Sequence, residues 1–146
     1  MPRLSARVRA AAAAALKAGG NPSRHAELTI YLAGDAIVRD LNRDFRGKDK
    51  PTNVLSFPAS AGPRPAGAPV MLGDVIIAHE TVVREAAAQG KSVADHLIHL
   101  IVHGVLHLLG YDHEKAGEAR RMEAIEVRVL AGFGIADPYA PIRRRA

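Results

Sequence analysis

The stretch HGVLHLLGYDH, His103 to His113, carries three imidazoles at a spacing that suits one metal ion. On a helix, residues four apart lie ~40° apart around the axis and ~6 Å apart along it, so His103 and His107 can turn both rings to one point. Gly110 supplies the left-handed residue that ends such a helix. The chain then turns back, and His113 can reach the same ion from outside the helix. Three nitrogen ligands with a fourth position open is the layout of catalytic rather than structural zinc. A glycine at +7 and a third histidine at +10 also match the spacing of the metzincin zinc motif.

One residue departs from that motif. Zinc peptidases of this type need a glutamate directly after the first histidine, as general base for the attacking water. Here that position is Gly104. Glycine cannot do this work, but it lets something bulky, substrate or backbone, come close to the metal. The spacing keeps the metal, and Gly104 turns the chemistry away from peptides. His99 and His96 lie one and two turns before His103 on the same helical face, as partners to the ligands, as cleft lining, or as plain structural residues. Asp112 is placed to orient a ligand imidazole or a water, or only to hold the Gly-Tyr-Asp turn. Asp112 and Glu114 are candidates for the missing base by their nearness in sequence alone.

A second stretch, LNRDFRGKDKPTNVLSFP from Leu41 to Pro58, is basic. On its helical part Arg39, Arg43 and Arg46 oppose Ile37, Leu41 and Phe45, and Lys48 and Lys50 follow. Asp40, Asp44 and Asp49 dilute the charge, so by charge alone an ion-paired solvated face is the plainer reading. Arg46 stands apart because it falls where helix becomes loop. A guanidinium held there, near a metal-activated water, suits a phosphodiester whose transition state spreads charge over oxygens.

These residues need elements to hold them. The pattern predicts a helix from about Ser5 to Ala18, stopped by Gly19-Gly20, with Leu4, Val8, Ala12 and Leu16 inward. A strand follows over Ala26–Leu32, then a second helix capped by Asp35 and ended by Gly47. Thr52–Phe57 reads as a short strand, Ser60–Pro69 as a flexible loop, and Val70–Ala78 as a buried strand, followed by a helix to Gly90. Ser92 with Asp95 opens a helix to about Leu109 that is apolar nearly all round and so belongs in the middle. The last helix spans Ala116–Ala131, with Met122, Ile125 and Val129 inward. The expected fold is a mixed α/β (α+β) layer structure. Three to four strands pack with about five helices around a buried histidine-bearing helix.

Composition sets the limits. The chain has 146 residues, enough for one domain with a real core. It has no cysteine, so disulfides and thiolate zinc fingers are excluded and any transition-metal site must use His, Asp and Glu. The formal charge of +5 favours anionic partners, while three Phe, three Tyr and no Trp leave little for a base-stacking platform. Phosphate contacts should therefore dominate any nucleic-acid binding. The first 24 residues carry no acid and several arginines, as a targeting segment would, but their apolar positions are mostly alanine, which favours an ordinary helix. The tail 143–146 is expected to be a disordered basic end making weak phosphate contacts. No apolar run is long enough for a membrane span, and a cytoplasmic location is expected.

In these stretches the sequence resembles the YbeY family of bacterial metal-dependent endoribonucleases. The likeness rests on His-Gly-x-x-His-Leu-x-Gly-Tyr-Asp-His at His103–His113. It also rests on Phe-Arg-Gly-Lys-Asp-x-Pro-Thr-Asn-Val-Leu-Ser-Phe at Phe45–Phe57, and on Leu-Gly-Asp before an apolar strand at Leu72–Ile77. It runs over roughly residues 27 to 139, to the closing Asp-Pro-Tyr. The resemblance implies one zinc ion on His103, His107 and His113, with Arg46 as the important arginine. It implies single-stranded RNA as substrate, notably the 3′ end of 16S ribosomal RNA. Small-subunit ribosomal proteins and assembly GTPases are the implied partners. Members of the family usually begin with a strand before the first helix. This chain starts almost at the helix, so either the sheet has one strand fewer or the start is truncated.

Overall fold

A computed structural model describes residues 2–20, 26–48, 52–59, 68–111 and 116–139. Residues 60–67 of the loop expected over Ser60–Pro69, the tail 143–146, Lys50, Asp112, His113 and Glu114 lie outside the described residues. The elements run α1 (Pro2–Ala18), β1 (Ala26–Ala33), α2 (Asp35–Arg46), β2 (Val54–Pro58), β3 (Val70–Ala78), α3 (His79–Gln89), α4 (Val93–Leu108) and α5 (Ala116–Ala131). The described strands form one mixed sheet in the order β1-β3-β2, with β1 parallel and β2 antiparallel to β3. This is the α+β arrangement the sequence pattern implies.

α4 is the centre of the packing. It touches α1, α3, α5, β2 and β3. Ile98, Ile101, Val102, Val105 and Leu106 of α4 are fully buried, together with Val75 and Ile77 of β3 and Leu130 of α5. A helix surrounded in this way must be apolar on most sides, as its sequence is. Ser92 starts it by accepting the Asp95 N–H at 3.0 Å. At the other end Tyr111 N–H reaches Leu106 O at 3.1 Å and Gly110 takes φ 96°, a left-handed stop.

The contact stripe of α1 is alanine. Ala11, Ala12 and Ala15 are buried, while Leu4, Val8 and Leu16 are only half-buried against the core. Small side chains let α1 approach α4 closely, which a leucine stripe would prevent. The approach continues to Gly19, where a Cβ would stand 2.5 Å from Leu109 Cδ1. The Tyr111 hydroxyl donates to Gly19 O at 3.2 Å, so α1 also holds the turn that follows α4.

Two local expectations are corrected. Asp35 does not cap α2, whose N-cap is Gly34 without a side-chain bond. Instead its carboxylate accepts the Thr81 N–H at 3.1 Å and the Thr81 hydroxyl at 2.8 Å, in the first turn of α3. In return Glu80 of α3 accepts the Asp35 N–H at 3.0 Å. Each helix start is thus capped by an acid from the other, a role that no local pattern reveals. The second concerns the apolar face of Ile37, Leu41 and Phe45 on α2, which is not the face that packs inward. Val38 and Asn42 are buried, whereas Ile37 is 58% and Phe45 68% exposed. Val38 joins Leu55 and Ala78 in a small second cluster, with Leu41 packed at its edge.

The Arg84 hydrogen bond, at 2.8 Å, holds the Asp35 carboxyl below its ordinary value. Burial opposes this and the Thr81 bonds assist it. A depressed carboxylate contributes stability above its unfolded pKa, and that contribution is lost as pH falls through the folded value. Asp35→Ala should therefore cost about 1 kcal/mol near neutrality, the size of a lost cap. The deficit relative to the parent should begin to shrink as pH falls below about 4, where the unfolded carboxyl takes up its proton, and should be gone only below the lower folded value, where the parent has lost the charge too. Urea unfolding at both pH values checks this; an equal deficit at both would refute it.

β2 is held in place by a close fit to β3. Gly73 in the Leu72-Gly73-Asp74 signature has φ 134°, and a Cβ there would run into the backbone of Phe57, Pro58 and Ala59. The register between β1 and β3 also slips at this point, with Leu28 opposite Gly73 after Glu27 opposite Met71. A residue without a Cβ is required where two backbones come this close.

Candidate metal centre on the central helix

His103 and His107 meet as the helical spacing predicts. Their rings are 4.6 Å apart between centroids and nearly perpendicular, and their Nε2 atoms lie 3.0 Å apart. Both side chains are partly exposed on a largely buried helix.

Behind them stands a residue the sequence reading passed over. Glu126 on α5 has no solvent exposure. His103 Nδ1 is 2.9 Å from its Oε1, while His99 Nε2 and the Tyr139 hydroxyl lie 2.9 and 2.6 Å from its Oε2. Burial by itself pushes this carboxyl up. The hydrogen bonds from His103 and His99 and the Tyr139 bond outweigh it and bring the pKa down to about 2. Glu126 is therefore a carboxylate, which only accepts, so the facing ring nitrogens and the phenol donate. Burial first, and then its bond to Glu126, raise the Tyr139 pKa, so the phenol keeps its proton.

Glu126 left a signal in the sequence. It is four residues after Met122 and three before Val129, both on the inward stripe, and an acid at such a position persists only when paired. Tyr139 lies in the closing Asp-Pro-Tyr, where its own N–H is held by Asp137 Oδ1 at 2.8 Å.

The other predicted residues fall in different places. His99 joins the Glu126 cluster. His96 does not: it is buried and turns its Nε2 to Glu85 of α3 at 2.9 Å, where Asn53 Nδ2 also donates at 3.0 Å. Arg46 is exposed at the last turn of α2, just before Gly47. Arg43 is exposed and pairs with Asp40 at 3.3 Å and Asp44 at 3.1 Å, as the ion-paired reading had it. Arg39 and Lys48 are also exposed. The segment carrying these cations leads into β2, and β2 is fastened to α4 by the Ser56 hydroxyl, which donates to Gly104 O at 2.9 Å.

Gly104 itself is buried, and it does not face the histidines' side. A Cβ there would stand 2.7 Å from Val75 Cγ1, 3.2 Å from Ser56 Oγ and 3.3 Å from Val54 Cγ2. The bulky group that comes close to Gly104 is therefore the sheet, not a substrate.

The residues present fit a zinc ion. Two imidazole lone pairs converging on one point are its preferred donors, and a tetrahedral ion bound at ~2.0–2.1 Å needs its nitrogens about 3.3 Å apart. The carboxylate behind His103 is the usual companion of a metal-ligating histidine. Among the described residues no group of three or more His, Cys, Asp or Glu is arranged to hold an ion; the pair is the described part of the expected set.

Comparison with known proteins agrees on one family. The model of a family described as Endoribonuclease YbeY matches residues 2–134. A protein named Endoribonuclease YbeY from Rhodospirillum rubrum is 53% identical, over 98% of this chain and 76% of its own. The protein of that name from Paramagnetospirillum magneticum is 56% identical over 95% of this chain and 87% of its own. The one from Azorhizobium caulinodans is 55% identical over 91% and 83%. Among solved structures, the solution structure of a Thermotoga maritima protein aligns with a TM-score of 0.57 at 21% identity, over 94% of this chain and 93% of that one. This last likeness speaks for the fold.

Proposed function

Because the chain belongs to the Endoribonuclease YbeY family, we propose that it is a zinc-dependent endoribonuclease acting on single-stranded RNA, with His103, His107 and His113 holding the metal. The observation that carries the reading is the meeting of the two Nε2 atoms at 3.0 Å, with the Glu126 carboxylate behind one of them. When bound, zinc supplies Lewis acidity there, acidifying water at neutral pH and drawing charge from a phosphoryl oxygen.

The chain's own residues do the rest. Arg46 takes the scissile phosphate with its planar fork and stabilises the negative charge that develops on its oxygens. Arg39, Arg43, Lys48 and Lys50 neutralise neighbouring phosphates, which makes binding weaken as salt rises. Asp112 orients a ligand ring or water. The sparse aromatic content supports reading by backbone charge over base stacking. Ribosomal RNA near the 3′ end of 16S RNA is the substrate this reading favours, with small-subunit ribosomal proteins and assembly GTPases as partners. A cytoplasmic location follows from such a substrate. Among the described residues no helix is long and apolar enough to cross a membrane.

The purified protein should cleave a labelled single-stranded RNA when zinc is present and spare both a duplex of the same sequence and an unstructured peptide. Cleavage of the peptide but not the RNA would replace this reading with a peptidase.

A further inference from the structure

The geometry points to Glu126 as a positioning residue that selects which nitrogen of His103 faces the site, with Tyr139 locking it in that role. This inference rests on the metal reading above. It concerns how the ligand is prepared before any ion arrives.

A neutral imidazole carries one proton on either of two nitrogens, and a metal ligand must present the bare one. At His103 the acceptor lies behind Nδ1, 2.9 Å away, so the proton belongs there and the Nε2 lone pair faces His107. A carboxylate on a mobile side chain could not hold that choice. Glu126 can, because both its oxygens are engaged and it has no solvent exposure. Oε1 is taken by His103, and Oε2 by His99 and the Tyr139 hydroxyl. To swing away, it would have to leave three donors unsatisfied in a buried place. Tyr139 follows α5 in the chain, so the segment after the last helix reaches the candidate centre through one phenol. His99 makes an edge-on ring contact with Tyr139, with centroids 5.7 Å apart, which keeps the phenol seated.

Two measurements test this. In metal-free protein, nitrogen-15 NMR of the imidazoles should find the His103 proton on Nδ1. Titration with cobalt(II), followed by its visible absorption, should show Glu126→Gln binding about 10–100-fold more weakly than the parent, the usual cost of losing such a partner. Tyr139→Phe, which keeps the carboxylate and removes one of its donors, should lose less than Glu126→Gln. A His103 proton found on Nε2, or cobalt affinity unchanged within twofold in Glu126→Gln, would overturn the inference. Should Glu126→Gln fail to fold, the parent tautomer and the Tyr139→Phe affinity decide instead, unchanged affinity counting against it. A parent protein that binds no cobalt would refute the metal reading, while the tautomer would still judge this one.

Discussion

His103→Ala and His107→Ala are each expected to lose metal and RNA cleavage together, while Arg46→Glu keeps the metal and loses cleavage alone. Each histidine variant removes one of the two nitrogens that meet at 3.0 Å. Lewis acidity at a reacting phosphate is worth several kcal/mol. At ~1.4 kcal/mol per decade, cleavage should fall on the order of 10³-fold or more. His107→Ala should leave the fold intact, since its side chain is partly exposed and the apolar body of α4 is untouched, whereas His103→Ala also takes a donor from the buried Glu126 and should be less stable, which urea unfolding measures. Arg46 makes a different prediction because it stands on another element. It is exposed at the end of α2 and takes no part in the bonds among His99, His103, Glu126 and Tyr139. Its loss should cost ~10²–10³-fold in turnover, as the removal of one donor to a developing oxyanion does. Arg46→Lys should recover only part of this, since an ammonium lacks the planar fork. Metal analysis of each variant beside its cleavage rate separates the two roles. An Arg46→Glu protein that cleaves RNA at the parent rate would remove Arg46 from the mechanism.

The second large effect is on folding. Gly104→Glu restores the residue type a zinc peptidase carries after its first histidine, and it should abolish folding instead of adding a peptidase. Even the Cβ of alanine would sit 2.7 Å from Val75 Cγ1. Overpacking of this kind costs ~1–3 kcal/mol, from which roughly 1 kcal/mol is recovered through better helix propensity. A glutamate would add a carboxylate between α4 and the sheet, an effective penalty of several kcal/mol for an unpaired buried charge. That sum is comparable with the whole stability of a typical domain, ~5–15 kcal/mol. Circular dichroism and urea unfolding of Gly104→Ala and Gly104→Glu check the order. A folded Gly104→Glu protein with parent-like stability would show that position 104 does not face the sheet as described.

What could be read from the residues beforehand follows from how local each signal is. The bounds of α5 and β3 and the left-handed stop at Gly110 are set by short-range patterns, and the structure repeats them. The meeting of His103 and His107 is likewise helix geometry. α2's inward face was harder to read, because its buried stripe includes Asn42, a polar residue, while the apolar Ile37 and Phe45 stay outside. Asp35 looked like a cap for its own helix because the bond to Thr81 is made between two helices far apart in sequence. Glu126 depends on α4 and α5 lying side by side, which periodicity along one helix does not report. Its inward spacing was still a usable sign, since a lone acid on an apolar stripe asks for a partner. From the sequence alone Gly104 leaves room for something bulky, substrate or backbone; only the packed sheet reveals which group fills that room.

On the proposed reading, RNA cleavage depends on a zinc ion held by the imidazoles of α4. The most direct test is to strip the purified protein with a chelator, add zinc back in measured equivalents, and follow cleavage of a single-stranded RNA under single-turnover conditions. The stripped protein should be inactive, and activity should return in step with the first equivalent of zinc in the parent, but in neither His103→Ala nor His107→Ala. Undiminished cleavage by the stripped protein would mean that the reaction needs no such ion.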